Sequence, residues 1–249
     1  MSSTDAHRVD ELQPTLVLVH GSGHTARVWA QLRAHLQHRS IAVNVPGRAD
    51  RVAPIAEVAL DAAVTSLAAD VEQSTKEPLV LVGHSSGGIM LPGLAARLGE
   101  RVRHLVFVAG LCAPHGEVVM STVRPEALDE LGRRLQVLRE EFAGCMLDPD
   151  PAVDGMHAID TATAAGIDSL NFMSQTVSWD GVPDVLPRTF VRCTGDRIQT
   201  AALQAALIES CGASEVIDLE SGHTPALAVP IELAAILDDV AAHHAIIVR

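Results

Sequence analysis

The feature of this sequence that most constrains its fold is a short apolar run leading directly into a serine flanked by glycines. Residues 79–82 read LVLV, residues 83–88 read GHSSGG, and a helix-compatible stretch follows to residue 98. A strand that turns sharply into a helix crowds its own backbone, so the G-x-S-x-G spacing provides glycine where a side chain would not fit. We therefore predict that Ser85 stands at the carboxyl edge of a sheet, exposed as a nucleophile.

Five further apolar runs indicate the rest of this sheet. They lie at residues 16–19, 41–45, 105–108, 189–193 and 215–219. The runs are continuous instead of alternating, which is typical of strands covered on both faces, and the stretches between them are long enough for crossover helices. Helices are predicted over residues 57–74, 86–98, 200–210 and 229–243, with Pro230 in a first helical turn. The fold class is thus α/β, a mainly parallel six-stranded sheet flanked by helices, in one domain over residues 1–249.

The alternation of strands and helices stops between residues 112 and 187. Within this stretch several apolar side chains recur at helical spacing: Leu128, Leu131, Leu135, Leu138 and Phe142. We predict that residues 112–187 form a small helical cap inserted into the domain, with further helices near residues 151–165 and 166–178. An amphipathic helix that merely covers the core would account for the leucine spacing equally well.

A serine hydroxyl needs a general base within hydrogen-bond reach, and that base needs a third group to fix its tautomer. His223 follows the last predicted strand, and Asp196 follows the strand at residues 189–193. Both would lie at the same sheet edge as Ser85. The order Ser85, Asp196, His223 is also the order that the hydrolase topology requires, and it was not used to select the three residues.

Other readings of these residues remain open at this point. Asp196 has the position of a helix N-cap ahead of residues 200–210, and His223 has that of a surface loop residue or helix cap. Asp218 and Glu220 are rival carboxylates, but they are too close to His223 in sequence to lie on the neighbouring strand's loop.

Acyl transfer also needs hydrogen-bond donors for the negative charge that develops on the carbonyl oxygen. In a strand–serine–helix arrangement one donor is the backbone N–H after the nucleophile, here Ser86. The second comes from the loop after the first strand, which reads HGSG at residues 20–23, and Ser22 is our choice within it. Ser22 and Ser86 are therefore the predicted oxyanion-hole residues.

Composition excludes several classes of partner. The net charge of −13 disfavours nucleic acid, and the polar residues 1–14 and short apolar runs indicate neither a signal segment nor a membrane span, so a cytoplasmic location is expected. The chain has 4 cysteines without CxxC spacing, which we interpret as free thiols. Its aromatic fraction of 2% predicts an aliphatic substrate pocket. The weakly charged stretch 229–249 leaves a homodimer contact open.

Together these motifs resemble the α/β-hydrolase superfamily, and within it the group of methylesterases and hydroxynitrile lyases. The likeness lies in residues 16–24 with Trp29 just beyond, in residues 83–88, in residues 193–198 and in residues 221–223 before a final helix. The resemblance implies a mainly parallel core, a small helical cap and no cofactor or metal.

This chain differs from that group at positions that distinguish ester hydrolysis from cyanohydrin cleavage. Its cyanohydrin lyases carry either a lysine after the catalytic histidine with a threonine in the oxyanion loop, or an asparagine in that loop, whereas this chain has Thr224 and Gly21. We therefore predict a serine hydrolase that cleaves a small-molecule carboxylic ester, lactone or thioester through an acyl-enzyme. The alternatives are a carbon–carbon lyase or acyltransferase using the same residues, and a ligand-binding protein without catalysis.

Overall fold

Eight strands build two sheets in the computed structural model, which describes residues 10–49, 51, 53–54, 57–122, 171–244 and 246–248. The strands are β1 (Asp10–Leu12), β2 (Thr15–Val19), β3 (Ser40–Val43), β4 (Leu79–His84), β5 (Val102–Val108), β6 (Arg188–Cys193), β7 (Glu215–Leu219) and β8 (Ile246–Val248). Six of them form a parallel sheet in the order β3-β2-β4-β5-β6-β7. The predicted six-stranded parallel sheet is confirmed.

A second sheet joins the two ends of the described chain. Strand β1 pairs antiparallel with β8, with Asp10 opposite Val248 and Leu12 opposite Ile246. This pair was not predicted from the sequence, because strands of three residues are too short to show any periodicity.

Helices flank the six-stranded sheet. They are α1 (Ala30–His35), α2 (Leu60–Ser74), α3 (Leu91–Leu98), α4 (Val119–Thr122), α5 (Ala201–Cys211), α6 (Pro225–Ala228) and α7 (Pro230–Ala242), and a 3₁₀ turn over Ser85–Met90 precedes α3. Pro230 lies in the first turn of α7, as predicted. The helix predicted over residues 57–74 begins later, at Leu60, and the one predicted over residues 86–98 is a 3₁₀ turn followed by an α-helix.

The sheet has a buried apolar layer on each face. Along β4, Leu79 and Leu81 pack into the cluster that contains α2 and α3, whereas Val80 and Val82 pack into the one that contains α1 and α7. All four side chains are fully buried. This two-sided burial explains why the strands read as continuous apolar runs.

The two ends of the predicted cap are paired with each other. The Gly116 amide donates to the Val177 carbonyl at 3.0 Å, and the Val177 amide donates to the Glu117 carbonyl at 2.8 Å. The leucine-rich stretch, the helix predicted at residues 151–165 and the first part of the one at 166–178 lie outside the described residues. The cap over residues 112–187 therefore stays a prediction.

The described part of the chain also bears on the predictions about membrane spans and cysteines. No helix within it is long and apolar enough to cross a membrane. Cys112, Cys193 and Cys211 are buried free thiols, as expected, and Cys145 lies outside the described residues.

Candidate active site

Ser85 lies in a strained turn at the carboxyl end of the central strand β4. Its φ of 49° falls in the left-handed region that side chains rarely adopt. The flanking glycines are required by close approach, since a Cβ on Gly83 would lie 2.8 Å from the Gly88 Cα and one on Gly87 would lie 2.6 Å from the Val19 carbonyl oxygen. The backbone is thus forced into a turn that leaves the Ser85 hydroxyl partly exposed above the sheet.

The structure brings His223 and Asp196 to this serine. His223 Nε2 lies 3.0 Å from Ser85 Oγ, and His223 Nδ1 lies 2.7 Å from Asp196 Oδ2. The carboxylate only accepts, so Nδ1 carries the proton and Nε2 accepts from the serine hydroxyl. The three side chains form one continuous line of hydrogen bonds from a buried carboxylate to the partly exposed serine.

Asp196 is held as an anion. Its Oδ1 accepts from the Ile198 amide at 2.7 Å and the Gln199 amide at 2.8 Å. Burial raises the pKa of the Asp196 carboxyl, but the charge of His223 and the hydrogen bonds from His223, Gln199 and Ile198 outweigh burial and hold that pKa below its ordinary value. The group therefore remains ionised beside the imidazole.

Two of the alternatives to Asp196 do not fit the structure. The N-cap of α5 is Thr200, whose hydroxyl accepts from the Leu203 amide at 3.3 Å. The alternative carboxylate Asp218 lies exposed on β7, where it accepts two hydrogen bonds from Arg192 at 2.6 and 2.7 Å.

The loops that carry Asp196 and His223 are joined along their backbones. The Thr194 amide donates to the Leu219 carbonyl at 2.9 Å, and the Gly195 amide donates to the Ser221 carbonyl at 3.0 Å. These bonds continue the parallel pairing of β6 and β7 beyond the ends of the strands. Two residues separated by 27 positions are thereby placed within hydrogen-bond distance of each other.

The loop after β2 packs against the nucleophile turn. A Cβ on Gly21 would lie 2.9 Å from the Ser85 Cβ, so this loop has no space for a side chain there. The neighbouring Ser22 hydroxyl donates to the Ser86 hydroxyl at 2.6 Å. The two residues predicted to supply the oxyanion hole are therefore in direct contact.

His20 fixes the other end of the same loop. Its Nδ1–H donates to the Gly21 carbonyl at 2.8 Å, and its Nε2 accepts from the Val45 amide at 3.1 Å. Burial lowers the pKa of His20 to about 4, so the imidazole stays neutral and keeps both bonds.

Three residues near the site were not predicted from the sequence. His84 donates from Nε2 to the His223 carbonyl at 2.7 Å, and burial, followed by the charge of His223, lowers the pKa of His84 to about 3. The Gln199 side chain donates to the Ala109 carbonyl at 2.8 Å, and Gln204 donates to the Cys193 carbonyl at 2.9 Å. The one available signal was Gln204, a lone polar residue in the apolar run 201–208.

The described residues include no group of three or more histidine, cysteine, aspartate or glutamate side chains arranged to hold a metal ion. Of the histidines around Ser85, His20 and His84 form hydrogen bonds with backbone groups, and His223 bonds the side chains of Asp196 and Ser85.

Comparison with known proteins identifies the family of this chain. Residues 16–236 match the Alpha/beta hydrolase family, and the chain belongs to it. It is 30% identical over 247 residues to the lipase LipV of Mycobacterium tuberculosis, covering 90% of this chain and 92% of that protein. It is 26% identical over 254 residues to Methylesterase 10 of Arabidopsis thaliana, covering 92% of each.

Solved structures agree on the fold. The crystal structure of a pyrethroid hydrolase from Sphingobium faniae superposes with a TM-score of 0.72 at 20% identity, covering 92% of this chain and 97% of that one. Relatives named as lipase, esterase and methylesterase confirm the prediction of an α/β-hydrolase of the carboxylic ester hydrolase class, with a likeness to the methylesterase group.

Proposed function

We propose that this chain hydrolyses a small-molecule carboxylic ester through a Ser85–His223–Asp196 triad and an acyl-enzyme. The observation that carries the proposal is the unbroken line of hydrogen bonds, 2.7 Å from Asp196 to His223 and 3.0 Å from His223 to Ser85. These distances are those of a nucleophile and base within hydrogen-bond reach, with the base oriented by a third group.

Acylation begins when Ser85 Oγ attacks the ester carbonyl carbon and its proton passes to His223 Nε2. Asp196 stabilises the imidazolium that forms, and its low pKa keeps it ionised throughout. The carbonyl oxygen becomes an oxyanion, which the backbone amides of Ser22 and Ser86 stabilise. The carbon–oxygen bond to the alcohol then breaks, and His223 gives its proton to the departing alkoxide.

Deacylation repeats these steps with water. His223 takes a proton from water as the water oxygen attacks the acyl carbon, and the second tetrahedral intermediate collapses by breaking the bond to Ser85 Oγ. His223 returns the proton to the serine and the carboxylic acid leaves. The products are one acid and one alcohol, and the enzyme is regenerated without any cofactor.

The neighbourhood of Gly21 favours hydrolysis over cyanohydrin cleavage. A side chain at this position has no space, since its Cβ would approach Ser85 to 2.9 Å, and Thr224 follows His223 where a cation would be needed to hold cyanide. The names of the relatives, a lipase and a methylesterase, support an ester as substrate. In our proposal the cap over residues 112–187 covers the site and selects the acyl group.

The proposal is tested with p-nitrophenyl esters of increasing acyl length, comparing the wild type with Ser85→Ala. We expect the variant to lose several orders of magnitude in kcat, because the nucleophile is removed. Ser74→Ala is the matched control, since the Ser74 hydroxyl bonds within α2 to the Asp70 carbonyl, on the exposed side of that helix.

A fluorophosphonate that labels activated serines gives a second readout. Labelling at Ser85 together with acid and alcohol as products would support the hydrolase. Ester turnover unchanged in Ser85→Ala would refute the mechanism, and the absence of both labelling and turnover in the wild type would favour a binding protein.

A further inference from the structure

Two hydroxyls meet at the proposed oxyanion hole. Ser22 Oγ donates to Ser86 Oγ at 2.6 Å, across 64 residues of sequence. Both residues are buried, with 7% and 3% of their surface exposed. These are the two residues whose backbone amides we assign to the hole, so the hydroxyl pair lies directly beside it.

The pair has one more proton than its mutual hydrogen bond uses. Each hydroxyl carries one proton and the bond between them consumes one, whichever of the two donates. Within the described ranges, neither Ser22 nor Ser86 makes another side-chain hydrogen bond. One O–H group of the pair is therefore left without a protein acceptor in a buried position, which costs free energy unless an acceptor arrives.

We propose that this remaining O–H is a third donor to the oxyanion, so that the Ser22–Ser86 hydroxyl pair takes part in catalysis. The proposal rests on the hydrolase function given above. As negative charge develops on the substrate oxygen, one hydroxyl donates to it while the other donates to the first hydroxyl. Hydrogen bonds in such a chain polarise and strengthen one another.

The packing around the pair preorganises it for this role. Ser86 is held by the turn after β4, where Gly87 packs on the Val19 carbonyl. Ser22 is held by the loop that His20 fixes through Gly21 and Val45. Because both supports hold the backbone of these residues, the hydroxyls are in place before substrate binds, which is the condition under which a donor lowers the barrier most.

The test compares Ser22→Ala, Ser86→Ala and the double variant, with Ser74→Ala as the control. Removing an oxyanion donor typically costs about 10²- to 10³-fold in kcat. For this neutral hydroxyl we expect a smaller loss, about 10- to 100-fold in the double variant, with little change in KM. In each single variant the decrease in log kcat should be less than half of the decrease in the double variant, because the hydroxyl that remains can still donate.

A substrate with sulfur in place of the carbonyl oxygen separates donation from distortion. Sulfur accepts hydrogen bonds weakly, so loss of a donor should slow the oxygen ester more than the matching thionoester. A general distortion of the site would slow both equally. Thermal unfolding of each variant identifies any loss of fold, and the single variants remain informative if the double variant is unstable.

The possible outcomes distinguish failure of the third-donor proposal from failure of the proposed hydrolase function. If the double variant folds and its kcat equals that of the wild type, or if both substrates slow equally, the third donor is refuted while the hydrolase stands. If the wild type turns over no ester but is labelled by the fluorophosphonate, the labelling rate replaces kcat, because the phosphonyl oxygen needs the same donors. If the wild type is neither active nor labelled, both proposals fail.

Discussion

Asp196 and Asp218 are two aspartates at neighbouring strand ends with very different surroundings. The Asp196 side chain is fully buried and bonds His223, whereas that of Asp218 is exposed and pairs with Arg192. A buried carboxylate that is itself held by fixed donors keeps a neighbouring imidazole in a single tautomer. The two residues therefore provide a matched pair for substitution.

We expect Asp196→Asn to lower kcat by about 10⁴-fold, because an amide that donates to His223 Nδ1 favours the tautomer with its proton on Nε2, which cannot accept from Ser85. Steady-state kinetics on the best p-nitrophenyl ester measures this loss. Asp218→Asn makes the same chemical change at the surface and should leave kcat nearly unaltered. Equal effects of the two substitutions would contradict the role given to Asp196.

Residue by residue, the sequence predicted the members of the candidate site that follow strand ends. Ser85, Asp196 and His223 each stand in a recognisable turn or loop, and the structure brings them together. His84 could not be predicted in the same way, because the residue between Gly83 and Ser85 is the unspecified position of the G-x-S-x-G spacing. Its role depends on the distance from its ring to the His223 backbone, which only the folded chain defines.

At the scale of secondary structure elements, α5 completes the hydrogen bonding of β6. The pairing of β5 with β6 ends at Val191, so Cys193 extends beyond its neighbour on that side. The Gln204 side chain of α5 bonds Cys193 in place of a neighbouring strand. It accepts from the Cys193 amide at 3.0 Å and donates to the Cys193 carbonyl at 2.9 Å. One helical side chain thus fixes the end of the strand that leads to Asp196.

We expect Gln204→Leu to lower the free energy of unfolding by about 2–6 kcal/mol, because it leaves the Cys193 amide and the Gln199 carbonyl without the bonds that Gln204 makes to them, at about 1–3 kcal/mol each. For a chain of this size the loss corresponds to a decrease in Tm of about 5–20 °C. Thermal or urea unfolding measures it. Gln73→Leu on the exposed side of α2 is the control, and the two variants should differ clearly; similar stabilities would mean that Gln204 does not support β6.

The strands that are buried on both faces of the sheet were the easiest to predict from the sequence. Strands β2 and β4 are fully buried and read as unbroken apolar runs, whereas β7 is mostly exposed and was recognised mainly by its valine and isoleucine. The β1–β8 pair was not predictable, since its register joins residues at opposite ends of the chain and each strand has three residues.

For the molecule as a whole, buried neutral histidines link stability to pH. Burial is the main cause that lowers the pKa of His20 to about 4, of His84 to about 3 and of His104 to about 4. His104 is bonded on both sides, since its Nε2–H donates to the Thr189 hydroxyl at 2.7 Å and its Nδ1 accepts from His244 Nε2 at 2.8 Å. Protonating His20 or His104 in the folded chain disrupts a buried bond, and protonating His84 places a charge in a buried site.

The sign of the pH dependence follows from which state binds the protons. The ordinary histidine pKa is 6.5, so the unfolded chain takes up protons between pH 6.5 and about 4 while the folded chain does not. The stabilisation from all three histidines is therefore complete above pH 6.5. That from His20 and His104 is lost as the pH falls toward about 4, and that from His84 is lost as the pH falls toward about 3. Each of the three groups contributes up to about 1.4 kcal/mol per pH unit within this window.

Urea unfolding between about pH 7.5 and about pH 4.5 should show the free energy of unfolding nearly constant at first and then falling ever more steeply below about pH 6.5. Replacing His104 with Gln should lower stability at neutral pH and also make this acid slope shallower, because one histidine no longer titrates differently in the two states. His35→Gln, at an exposed position on α1, should leave the slope as it is. The opposite outcome is a free energy of unfolding that stays constant or rises as the pH falls below 6.5. It would show that the buried histidines are protonated in the folded protein and that their burial does not set the stability in acid.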